Sequence, residues 1–80
     1  MEKDRSVAEQ PFIIRPYLKS ELAGLYNPEL SAVYALRKLR GWINHNDELR
    51  EHFYTERESK KDVAFSKRQV RMLVEILGEP

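Results

Sequence analysis

Four residues in one short stretch, Tyr34, Arg37, Lys38 and Arg40, have the types and spacing to bind phosphate. Guanidinium and ammonium groups neutralise backbone phosphates, and a tyrosine beside them can meet a base edge. Further along, Lys67, Arg68 and Arg71, preceded by Lys60 and Lys61, would widen such a patch. A charged outer face is also what any soluble helix needs, so these residues have a plain structural use too. The formal net charge of the 80-residue chain is only +1. Dedicated nucleic-acid-binding domains are often strongly basic. Electropositive character here must come from how charge is distributed.

Other chemistries find little support. The two histidines, His45 and His52, are seven residues apart near Asp47, Glu48 and Glu51, without a recognisable ligand spacing. His52 with Glu48 reads more simply as a helix-surface pair. There is no cysteine, which removes disulfides, thiolate ligands and a thiol nucleophile. No serine sits in a glycine-rich elbow, and the three glycines, Gly24, Gly41 and Gly78, are too scattered for a phosphate loop. The expectation is a protein without enzymatic activity, cofactor, metal or evident small-molecule substrate.

The elements that must carry the basic residues follow from apolar spacing. Residues Met1 to Gln10 are polar and aperiodic, so residues 1–11 read as a flexible arm before a single domain over 12–80. Phe12-Ile13-Ile14 is a short apolar run closed by Arg15-Pro16, an edge-strand candidate. Leu18, Leu22, Leu25 and Tyr26 predict a first helix over Lys19 to Tyr26, stopped by Asn27-Pro28. Ser31 is placed to cap a second helix from Ala32 to about Asn44. Its inward side would carry Ala32, Ala35, Leu36, Leu39, Trp42 and Ile43, with Tyr34, Arg37, Lys38, Gly41 and Asn44 outside. Asn46 or Asp47 can cap a third helix running through Tyr54, with Leu49 and Phe53 inward.

Thr55 to Lys61 reads as a charged, exposed connector. Ser66 and Gln69 have capping-box spacing at the start of a last helix, Lys67 to Leu77, with Gly78 just past its end. Val70, Leu73, Val74 and Leu77 make its buried stripe. Arg71 and Glu75 are spaced to pair on its surface. Met72 and Ile76 lie beside the stripe and extend the apolar girth, which suits either a dimer or partner contact or simple enclosure.

The segment from Ile14 to Leu25 echoes that from Asp62 to Leu73, with Tyr17 matching Phe65, Lys19 matching Lys67 and Leu22 matching Val70. Both read as extended piece, cap, helix. The fold expected is mainly α, a small four-helix, helix-turn-helix-like domain with room for a two-stranded ribbon joining Phe12–Arg15 to Val63–Phe65.

The runs IIRPYLKSELAGLYNPELS, ALRKLRGWI and FSKRQVRMLVEILGEP resemble a small family of uncharacterised domains from Bacteroidales. That family carries an Ile-Arg-Pro-Tyr-x-Lys-Ser-Glu-Leu-Ala segment and closes on Leu-Gly-Glu-Pro. The resemblance spans residues 12 to 80 and implies no activity. The family usually has threonine where this chain has Leu18, which implies a lost first capping box and leaves Ser20 as a substitute cap. Glu21-Leu22-Ala23, Leu30-Ser31 and Ala35-Leu36-Arg37 also resemble, more loosely, a MerR-type helix-turn-helix. Here the turn is longer and lacks the glycine.

A chain of this size buries only about 60% of its unfolded surface, so modest stability is expected. No signal-like segment or membrane-length apolar run is present, which suggests a cytoplasmic protein away from membranes. The expected function is a DNA-binding or DNA-associated regulatory module, with double-stranded DNA as partner. The alternative is a protein-interaction or homodimerisation module acting through Met72 and Ile76.

Overall fold

The computed structural model describes residues 12–80; the expected arm over 1–11 lies outside them. The chain forms β1 (Tyr17–Leu18), α1 (Lys19–Tyr26), α2 (Ala32–His45), α3 (Asp47–His52), β2 (Ala64–Phe65) and α4 (Lys67–Leu77). The described residues are therefore mainly helical, with four helices and a short ribbon.

The ribbon is antiparallel, pairing Tyr17 with Phe65 and Leu18 with Ala64. Its first strand is not Phe12–Arg15. Pro16 has no N–H to donate, so the ladder starts after it. The residues before Pro16 wrap the strand instead. Phe12 stacks on the Tyr17 ring at 5.3 Å, Arg15 covers that ring at 3.7 Å, and the Tyr17 hydroxyl donates to the Ile13 carbonyl at 2.7 Å. Val63 also falls outside β2, although its carbonyl accepts from the Lys19 N–H.

Strand alternation then decides which α1 residues turn inward. Tyr17 points into the core, so Leu18 points out and is 53% exposed. The buried face of α1 is Leu22 and Ala23, while Leu25 is exposed. This departs from the expected stripe of Leu18, Leu22, Leu25 and Tyr26. Leu18 is itself the N-cap residue and makes no side-chain cap bond; Ser20 lies inside the first turn and does not substitute.

Helix α2 buries Ala35, Leu39 and Ile43 against α1. Trp42, expected in the core, sits half-buried at its rim, edge-on to Tyr26 with ring centroids 6.1 Å apart. Asn46 caps α3 by accepting from the Leu49 N–H at 2.9 Å, and Phe53 rather than Tyr54 closes that helix. Ser66 and Gln69 form the full capping box of α4. Gly78 ends α4 at φ +90°, a left-handed conformation that glycine adopts without a Cβ penalty. Phe53 and Phe65, fully buried and edge-on at 5.4 Å, join the ribbon to the helices.

Candidate nucleic-acid interface and a basic hollow

The second helix supplies the cations, and its burial pattern decides which of them face out. With Ala35, Leu39 and Ile43 turned inward, the 100° step of the helix puts Arg37 at the centre of the outer face. Tyr34, Arg37, Lys38 and Arg40 are all exposed. Arg37 lies over the Tyr34 ring at 5.2 Å and Lys38 over the Trp42 ring at 5.7 Å. From Ser31 to Asn46 the chain contains no acidic residue.

Arg40 leans to the other flank of α2. There it lines a hollow of about 250 Å³ with Asn44, Tyr54 and Lys60, over a floor provided by Ile43. Asn44 follows Arg40 by one helical turn and so opens to the same side. Beside the hollow lies a cation that the sequence does not advertise. Lys19 is 6% exposed, and its ammonium donates to the Lys60 carbonyl at 3.1 Å and to the Ser59 carbonyl at 3.4 Å. The same ammonium faces the Tyr54 ring at 5.8 Å, and that of Lys60 faces it at 5.9 Å. Burial, then the nearby Arg40 guanidinium, hold the Lys19 pKa below its ordinary value, against an upward pull from Asp62. Burial raises the Tyr54 hydroxyl, with Arg40 pulling it back and Asp62 and Glu58 adding to the rise.

The basic residues of α4 do not all face outward. Lys67 and Arg71 are exposed, but Arg68 turns its guanidinium inward. Its Nε and Nη2 bind both oxygens of Glu58, Nη2 also donates to the Phe53 carbonyl, and Nη1 donates to the His52 carbonyl and the Met72 sulfur. Every branch of the fork is thus engaged within the fold. Glu58 is the hub of this clamp, although it lies in the segment expected to be a plain exposed connector. The guanidinium bonds of Arg68 hold its carboxyl down at about 2; burial opposes this, and hydrogen bonds from Ser66 and Thr55 assist.

Met72 and Ile76 are half-buried against the core. Tyr26, Trp42, His45 and Leu77, near the C-terminal ends of α1, α2 and α4, line a second depression. The Tyr26 hydroxyl donates to the Gly78 carbonyl there, and burial, followed by Glu79, raises its pKa to about 12. The expected surface pairs do not form: the ion pairs among the described residues join Arg15 to Glu21, Arg50 to Asp47 and Glu51, His52 to Glu51, and Arg68 to Glu58. Glu75 is left without Arg71, and Glu48 without His52. No group of side chains suited to a metal ion occurs among the described residues, and none of their helices is long and apolar enough to cross a membrane.

The family model described as a domain of unknown function (DUF4248) matches residues 13–80. The chain belongs to that family. No curated protein and no solved structure matches it.

Sequence reasoning about the DUF4248 chain singled out Arg40 and Lys60, but not Lys19, Asn44 and Tyr54 as their neighbours. The echo that aligned Lys19 with Lys67 carried part of the signal, because it placed both directly after an extended piece. It could not show that one of the two is buried and the other exposed.

Proposed function

We propose that this domain associates with nucleic acid through the outer face of α2, with Tyr34, Arg37 and Lys38 at the contact and Arg40 on its flank. The carrying observation is that α2 exposes these residues along a stretch free of acidic side chains. That local imbalance creates a positive face on a chain whose total charge is near zero. The α1–turn–α2 unit and its likeness to MerR-type domains at Glu21-Leu22-Ala23 and Ala35-Leu36-Arg37 support a helix-turn-helix-like use of double-stranded DNA. Arg68 has no part in this contact, since its donors are spent on the fold. Lys67 and Arg71 act at most as peripheral phosphate contacts.

The alternative, a homodimer or partner contact through Met72 and Ile76, draws less support. Both side chains already pack on the core, and the Met72 sulfur accepts from Arg68.

Fluorescence anisotropy with a labelled duplex, run across a salt series, tests the nucleic-acid reading. Binding is expected at low salt, with affinity falling linearly in log–log form, and with a shallower slope by about 2 when Arg37 and Lys38 become alanine. Absence of binding to any duplex at low salt would overturn it, because the electrostatic contribution is independent of sequence.

A further inference from the structure

We propose that the hollow lined by Arg40, Asn44, Tyr54 and Lys60 is a seat for a phosphoryl group, carried by a small phosphorylated molecule or by a nucleic-acid backbone. It shares Arg40 with the flank of the α2 contact proposed above, but it does not depend on Arg37 or Lys38.

Three features point to this chemistry. The first is the donor set. The residues that line the concavity carry a guanidinium, an ammonium, a primary amide and a phenol. Arginine matches phosphate oxygens with paired N–H donors, and lysine adds a mobile point charge. The second is the field. Lys19 and Lys60 both face the Tyr54 ring, and Arg40 is near enough to disfavour charge on Lys19. Cations gathered around a hollow with low-dielectric walls focus attraction on an anion within it. Of the acids close by, Glu58 is neutralised by Arg68, while Asp62 keeps its charge and offsets part of this field. Asp62 accepts from the Ser59 N–H at 3.0 Å, and Glu58 is bound by Arg68, Ser66 and Thr55.

The third feature is size. Pockets for drug-sized ligands run from about 300 to 1,000 Å³. At about 250 Å³ this hollow is below that range. It holds roughly eight waters at ~30 Å³ each, enough for a phosphoryl group and part of its hydration. The apolar floor at Ile43 offers nothing to a larger polar ligand.

The test is an NMR titration of the full chain with sodium phosphate, against sodium chloride at matched ionic strength. It follows the Asn44 side-chain amide and the Arg40 Nε–H. Saturable shifts with phosphate are expected, weakened at least tenfold in Arg40→Gln and several-fold in Lys60→Gln, and unchanged in Arg37→Gln. Arg40 and Lys60 are both exposed, so neither substitution disturbs the core. Equal shifts with phosphate and chloride, or undiminished phosphate binding in both Arg40→Gln and Lys60→Gln, would overturn the proposal. A duplex added to the phosphate-saturated protein then separates the sources. Displacement of phosphate at Arg40 identifies a backbone phosphate as the occupant. Duplex binding that leaves the Arg40 signal at its phosphate-bound position identifies a small phosphorylated molecule.

Discussion

Two charged side chains, Lys19 and Glu58, organise the loop between α3 and β2, and they do so in different ways. Lys19 ties the loop through its backbone carbonyls, while Glu58 ties it through Arg68, Ser66 and Thr55. The Glu58 carboxyl is held at about 2 in the fold against an ordinary 4.5. A depressed folded pKa adds stability above the unfolded value and loses it as pH falls through the folded one. The contribution is therefore complete above about pH 5 and gone near pH 2. At 1.36 kcal/mol per pKa unit the shift corresponds to roughly 3 kcal/mol, reduced by solvent screening at the partly exposed Arg68 end. Urea unfolding at pH 6 and pH 3 should show Glu58→Gln losing much less stability on acidification than the parent protein. An equal acid loss in both would remove Glu58 from this role.

Among the elements, the caps separate real from apparent signals. Ser31 and Ser66 both precede helices in extended conformation, yet only Ser66 makes a side-chain cap bond. Ser66→Ala should cost about 1–2 kcal/mol, because it removes the cap and also a hydrogen bond to Glu58. Ser31→Ala should stay within about 0.5 kcal/mol. Chemical denaturation of the two variants side by side tests the difference, and equal costs would contradict it. The echo between the two halves proves to be spatial. Tyr17 and Phe65, matched by sequence, are cross-strand partners, and each strand runs into its own helix. An antiparallel pair has a local two-fold relation, and here it passes through the Tyr17–Phe65 pair; on either side the echoed residues diverge, since Leu18 pairs with Ala64 and not with Ser66. The end of α1 was legible because Asn27-Pro28 stops a helix there, but its buried face was not, since Leu18 and Leu25 of the apolar period are exposed. Nor was the strand position: Phe12–Ile14 has the better strand composition, but the missing N–H of Pro16 moves the ladder past it.

At the scale of the whole molecule, one small core joins all six elements. Phe53 stands at its crossing point, with Phe65 at 5.4 Å and Tyr54 at 5.1 Å. Its backbone carbonyl also accepts from Gln69 and Arg68. Phe53→Ala should cost about 3–5 kcal/mol. A domain of this length has roughly 4–12 kcal/mol in all at 0.05–0.15 per residue. Thermal melts followed by circular dichroism should therefore show a variant that is largely unfolded or melts far lower. A cost below about 1 kcal/mol would mean that the ribbon and helices do not share this core.

The amino-acid sequence determined the helices, most of their ends, the capping box at Ser66 and the outward direction of Arg37. These depend on spacing within a few residues, and local periodicity records it. Only the tertiary structure decided that Arg68 is a clamp, that Lys19 is buried, and that Arg40, Asn44, Tyr54 and Lys60 surround one hollow. The bonds that hold them span up to 41 positions, as from Lys19 to the Lys60 carbonyl. Exposed and buried cations have the same letter in a sequence. What distinguishes them is the packing of segments brought together by the ribbon, and no local pattern encodes that distance.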